Sequence, residues 1–367
     1  MMWEKFADLF RHNTTKYITY FLPADRIGQD VSASPAVEGQ AYCQLWLAEM
    51  YLSHDWEWFS GRYPVVHAAT RYHYGDKLVT IPCVTEPELL SKIDKDHLNR
   101  IVQRNYRLTP IFPFNRGDVS LEAGMFSMKT NEPLQRVIKS MKDLTHTLTI
   151  SAEFTTIVKL AEPIYKSVES VLDMGDYRLE LGYYNTFVSS SDKFASNVIR
   201  PGYFVAILAD DKEVDPKTLC VINGELHVGV TGKDFLNDHR RFEGHSYMLF
   251  RLAVRQSQEW NQITGINTLV RQAQSALIEN RKQHVNDFLL PQIKIEVLTS
   301  PDVAAKDQDP MIAKIIDNLK GHGLEATARE VEVQSLHAIM QRLLPPPDPK
   351  LEAELAELRK TLALPVR

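Results

Sequence analysis

The chain has 367 residues, of which 44% are hydrophobic and 24% charged, and a formal net charge of -5. The length exceeds the ~100–200 residues of one ordinary domain, so two domains or one large domain with appendages are expected. The apolar content is enough for a sizeable core, and the mildly acidic balance gives no built-in pull toward nucleic acid or anionic lipid.

The three cysteines, Cys43, Cys83 and Cys220, are too few and too scattered for a disulfide framework. None has metal-binding spacing with another. They read as buried, inert thiols of a reducing, cytoplasmic compartment. The opening Met1–Asp8 places acids inside its apolar run and does not read as a signal peptide. No apolar run approaches the ~18 residues that would span a bilayer.

The first 130 residues read as β-rich. Tyr17–Leu22 is a short β-type run stopped by Pro23. Gln40–Leu52 alternates in part, with Leu45, Leu47 and Tyr51 facing one way and Trp46, Met50 and Leu52 the other, so a strand is expected with a helix as the alternative. In Val65–Tyr74 the alternation is clearer, and Gly75-Asp76 leads as a turn into a partner strand, Lys77–Val84. The apolar spacing of Pro87–Arg104 predicts a helix. After Asn131-Glu132-Pro133 the period changes to that of a helix, and residues 133–173 are expected to form two helices or one kinked at Pro163.

Strands are then expected at Tyr177–Phe187, Tyr203–Ala209, Leu219–Ile222, Glu225–Val228 and Ser246–Val254. Asn223-Gly224 between two of them reads as a type I′ hairpin, because both residues tolerate positive φ. From Trp260 the pattern turns helical. Ile263, Ile266, Leu269, Val270, Ala273, Leu277 and Val285 mark one long helix ending before Pro291. Asp309-Pro310 signals the cap and first turn of another, which Gly321 can stop. A further helix is expected over 324–344. Last comes Pro345-Pro346-Pro347, then a short helix carrying Leu351, Leu355, Leu358 and Leu362 on one stripe. At roughly 12 residues such a helix is marginal alone and wants a surface, either on its own body or on another chain.

The fold class that follows is α+β. Sandwich-like β-rich parts, 1–130 and 176–258, pack together and are interrupted by a helical block, 131–175. A helical region, 259–344, and the spacer with its docking helix, 345–367, complete the chain. Strands cluster and helices cluster, which excludes a doubly wound parallel sheet.

Candidate chemistry is sparse. His67, Arg71 and His73 share one strand face and can hold an anion, or a histidine can act as a general base; the plainer alternative is the polar face of a half-buried sheet. No acid is placed by sequence to orient either histidine. Asp210, Asp211, Glu213 and Asp215 offer hard oxygens to a cation but lack the spacing and turn glycine of an EF-hand loop. Asp238-His239-Arg240-Arg241, with Glu243 and His245 nearby, can bind phosphate or meet an acidic partner. Trp56 and Trp58 lie among charged neighbours and are the better interaction candidates within the body. No glycine-rich phosphate loop occurs.

These features point to a non-enzymatic scaffold or adaptor in a multi-protein assembly. Its binding residues are Leu351, Leu355, Leu358, Leu362, Trp56 and Trp58, and its partner is another chain or a second copy reached through 345–367. No metal, cofactor or nucleic acid is expected, and a membrane surface is not favoured. The alternatives are a peripheral lipid-binding module with Asp210–Asp215 as a cation-dependent tip, and a hydrolase using His67 or His73.

Overall fold

The computed structural model describes residues 17–28, 35–53, 62–74, 77–84, 100–115, 117–129, 177–188, 198–210, 212–230 and 233–325. Its described strands form antiparallel sheets and a helical region follows them, an α+β fold. The helical block at 131–175, Trp56 and Trp58, the 324–344 helix beyond Glu325 and the leucine-striped tail lie outside the described residues.

In chain order the strands are β1 (Ile18–Leu22), β2 (Tyr42–Leu52), β3 (Arg62–Tyr74), β4 (Lys77–Val84), β5 (Arg100–Arg107), β6 (Phe112–Pro113), β7 (Val119–Lys129), β8 (Tyr177–Phe187), β9 (Gly202–Ile207), β10 (Leu219–Ile222), β11 (Glu225–Gly229), β12 (His239–Arg241) and β13 (Tyr247–Arg255). A central sheet has the order β1-β9-β13-β2-β5, with β6 also on β2. A second sheet has the order β4-β3-β7-β8, and a small third one β10-β11-β12. Strands from 177–255 thus sit between strands from 17–129 in the central sheet and add β8 to one edge of the second.

The central sheet is apolar on both faces, which is why β2 reads as a nearly continuous hydrophobic run rather than a clean alternation. One face packs on the second sheet: Leu45, Leu47, Met50, Phe204 and Phe250 share a core with Val66, Ala68, Tyr72, Leu121 and Tyr183. Stacked rings cross this interface, Tyr183 on Phe204 at 5.1 Å and Tyr72 on Phe112 at 3.9 Å between centroids. The other face carries Tyr51, Val205, Tyr247 and Leu249, which pack on Leu219, Val221 and Leu226 of the small sheet. The body is therefore three β-layers with two cores.

The facing of β2 corrects the sequence expectation. Leu45, Leu47, Met50 and Leu52 all join the core shared with the second sheet, while Tyr51 joins the other core. A bulge causes it: Phe250 pairs with Leu47 but Leu249 pairs with Glu49, leaving Ala48 as the extra residue that reverses the alternation. A second correction concerns 87–104. Arg100–Arg107 is strand β5, not the end of a helix, with Ile101 opposite Tyr51 and Tyr106 opposite Leu47. The edge of β2 satisfies its backbone groups, and that tertiary pairing outweighs local helical spacing.

The Asn223-Gly224 turn matches its expectation. Both residues have positive φ, 53° and 82°, and Ile222 pairs with Glu225 across them.

The helical region consists of α1 (Thr264–Ile278), α2 (Leu290–Thr299) and α3 (Gln308–Gly321). The single long helix expected before Pro291 is broken instead. Asn280 takes φ 58° after α1, ending it in the left-handed conformation. The chain restarts at Lys282, passes through one π turn, Val285–Leu289, and enters α2 with Pro291 in its first turn, where a missing N–H costs little. In α3, Asp309-Pro310 lies inside the first turn and Asp307 holds the cap position, two residues earlier than expected; Gly321 ends the helix as expected.

Ile266, Val270, Ala273, Ile293, Val297, Ile312, Ile315 and Leu319 form this region's own core. A polar seam ties it to the β-body. The buried Tyr42 hydroxyl accepts the Ala304 N–H at 3.0 Å, and the Lys306 N–H donates to the Gly39 carbonyl at 3.0 Å.

Candidate functional site

The face carrying His67, Arg71 and His73 lies on β3, flanked by β4 and β7. Ala69 pairs with Glu122 of β7, so Glu122 sits one diagonal step from both His67 and Arg71. This is the acid that the sequence did not supply. Ser120 and Thr186 continue the face, joined by a hydroxyl hydrogen bond at 2.9 Å, and the Tyr184 hydroxyl lies 3.2 Å from Thr186 Oγ1.

The face is not the wet surface that a half-buried sheet would give. His67 and Glu122 are only 3% and 2% exposed. Burial holds the His67 imidazole down at about 3, hence neutral, and pushes the Glu122 carboxyl up to about 8. Neither Glu122 oxygen has a hydrogen-bond partner among the described residues. At neutral pH this carboxyl is a proton carrier, able to donate a hydrogen bond or a proton.

A second polar cluster joins the central sheet to the small one. Glu49, fully buried on β2, accepts through Oε2 from the Tyr247 hydroxyl at 2.8 Å and from the Leu226 N–H at 3.1 Å. Arg241 donates to Glu49 Oε1 with one nitrogen and to Glu225 Oε2 with the other. Tyr51 stacks on Tyr247 at 5.2 Å. Burial, and then the neighbouring Glu49, raise the Tyr247 phenol well above its ordinary range. His227 stands 3.8 Å from Glu225 and edge-on to His239 at 4.9 Å. Its pKa is lowered, first by burial and then by His239 and Arg241.

Arg26 makes the same kind of tie from the other side. It donates to the carbonyls of Leu219, Val230 and Thr218 at 3.1, 2.8 and 2.8 Å and covers the Phe235 ring. Two arginines thus fasten the small sheet by charge-assisted hydrogen bonds.

The acidic stretch after β9 and the basic stretch around β12 meet. Glu213 and Asp215 line one cleft together with Arg240, Arg241, Glu243 and His245. Among the described residues no group of three His, Cys, Asp or Glu side chains is placed to hold a metal ion. Cys43, Cys83 and Cys220 are buried free thiols, and burial pushes Cys43 and Cys83 up to about 12. No helix among the described residues is long and apolar enough to cross a membrane.

Sequence reasoning missed Glu49 and Glu122. The signal for Glu49 was present: it is the one charged residue in Tyr42–Leu52. A lone acid in a buried strand demands a partner. Comparison of the chain with family models, with curated proteins and with solved structures returns no match.

Proposed function

We propose that the protein is a non-enzymatic scaffold that assembles through its helical region. The observation that carries this reading is an apolar surface beside a basic cleft. Ile278 at the end of α1 is 72% exposed and Phe288 in the π turn 60%. A cleft of about 450 Å³ in the same region is lined by Arg271, Arg281 and His284 with no acid in its lining, Arg281 being paired with the neighbouring Glu279 at 2.5 Å. The His284 ring, part of that lining, is 5.5 Å from the Phe288 ring.

Large apolar groups beside cationic ones suit an amphipathic helix with acids beside its apolar stripe. The chain encodes an amphipathic segment: Leu351, Leu355, Leu358 and Leu362 are interspersed with Glu352, Glu354 and Glu357, and Lys350, Arg359 and Lys360 lie on either side of these acids. The proposed occupant is this segment of a second copy. Burying a leucine contributes roughly 1.5–3 kcal/mol before ordering costs, so four of them support a contact of weak to moderate affinity.

Sedimentation equilibrium of the full chain tests this. Concentration-dependent self-association is expected, and it should be lost both in Ile278→Asp with Phe288→Asp and in Leu355→Asp with Leu358→Asp. Unfolding free energies should stay within about 0.5 kcal/mol, as for other surface changes. A monomer at all concentrations, or association indifferent to both pairs, would overturn the proposal.

A further inference from the structure

The cleft between the acidic loop and β12 belongs to a different part of the molecule from the docking face. Its volume is about 370 Å³, at the small end of ligand-sized pockets (~300–1,000 Å³). Its apolar lining is Val214, Val228 and Phe242, of which Val214 and Phe242 are buried. His245 stacks on Phe242, with centroids 6.0 Å apart.

Charges of both signs line it without neutralising one another. Arg241 is committed to Glu49 and Glu225. Arg240, by contrast, is exposed and makes no ion pair or hydrogen bond among the described residues. The acids are held in place by backbone. Glu213 Oε2 accepts the Asp210 N–H at 2.8 Å, and Asp215 Oδ1 accepts the Lys217 N–H at 3.0 Å. The second oxygen of each carboxylate takes no hydrogen bond among the described residues. A simple anion would meet Arg240 but also Glu213, Asp215 and Glu243. A simple cation would leave Arg240 unused.

We propose that this cleft binds a small dipolar ligand of the amino-acid or dipeptide class. The ammonium group lies at Glu213 and Asp215, the carboxylate at Arg240, and an apolar side chain against Val228 and Phe242. Glu213 and Asp215, fixed by their backbone contacts, lose little freedom on binding, which favours recognition of an ammonium group there.

Titration calorimetry of the full chain with leucyl-leucine, N-acetyl-leucyl-leucine and leucyl-leucine amide tests it. The free dipeptide should bind, with each capped form weaker by about tenfold or more, the loss of one charge-assisted contact. Arg240→Ala should weaken the free dipeptide but not the amide. Glu213→Gln with Asp215→Asn keeps the oxygens that accept from backbone, and should weaken the free dipeptide without shifting the melting temperature. No heat with the free dipeptide at about 10 mM, well beyond millimolar affinity, would overturn the proposal. Equal binding of either capped form, or indifference to Arg240→Ala, would do the same. The capped ligands test the wild-type chain, so that result stands even if a variant fails to fold.

Discussion

Glu49 and Glu122 are the same residue in nearly the same setting, mid-strand and 0% and 2% exposed. Their surroundings differ. Glu49 has an arginine, a phenol and a backbone N–H within hydrogen-bonding reach, and it joins two sheets. Glu122 has no hydrogen-bond partner for either oxygen among the described residues, and burial alone raises its pKa. Burial of a carboxylate therefore has no fixed meaning. With partners the group acts as a strut; without them, as at Glu122, burial raises its pKa and makes it a titratable element in the fold.

The largest effect should come from removing the strut. Glu49→Ala leaves Arg241, 21% exposed in its side chain, without its buried acid, and also strips Tyr247 and Leu226 of an acceptor. Breaking such a pair costs roughly 3–5 kcal/mol. Chemical denaturation at neutral pH would measure it. A loss under about 1 kcal/mol, the size of an exposed pair, would show that the small sheet does not depend on this network.

The second test uses the opposite sign. Folded Glu122 keeps its proton up to about 8, whereas the unfolded carboxyl loses it near 4.5. Unfolding then releases a proton, so this contribution to stability is full below 4.5 and declines as pH rises to about 8. His67 acts the other way: it is neutral when folded down to about 3, and protonated when unfolded below 6.5. Between 4.5 and 6.5 the two slopes cancel. Above 6.5 the Glu122 slope of about 1.4 kcal/mol per pH unit stands alone, giving a loss on the order of 2 kcal/mol by pH 8. Glu122→Gln should remove that loss and so be the more stable chain at pH 8. Parallel stability curves for the two chains between pH 6.5 and 8 would mean that Glu122 is already ionised in the fold.

Both carboxylates are in plain view in the sequence; their different fates are not. Tyr247 is 198 positions from Glu49, and Arg241 is 192 away. Pairing at that range is decided by sheet order, which periodicity does not encode. Strands such as β3 and β4 were legible because their residue types alternate with period two. Legibility failed where tertiary contacts overrule local pattern. The edge of β2 recruits Arg100–Arg107 from a helical reading, and the bulge at Ala48 reverses the facing of β2 beyond it. Breaks were also hidden, since Asn280 interrupts a helical spacing that continues through Val285.

The smallest effect tests a feature that was fully legible, and so checks the small sheet without touching Glu49. Asn223 and Gly224 occupy the two positive-φ positions between β10 and β11. At φ 82° the Gly224 backbone is strained for any L side chain, although a Cβ there would meet only the Tyr203 hydroxyl, at 3.8 Å. The cost of Gly224→Val is therefore conformational rather than steric, roughly 1–2 kcal/mol. Gly224→Asn should cost much less, because asparagine tolerates the left-handed region. Thermal melts of the two variants separate these causes. If Val and Asn destabilise equally, backbone strain is not the reason for glycine at this turn. If neither does, the hairpin contributes nothing to holding the small sheet, and Glu49 and Arg26 hold it alone.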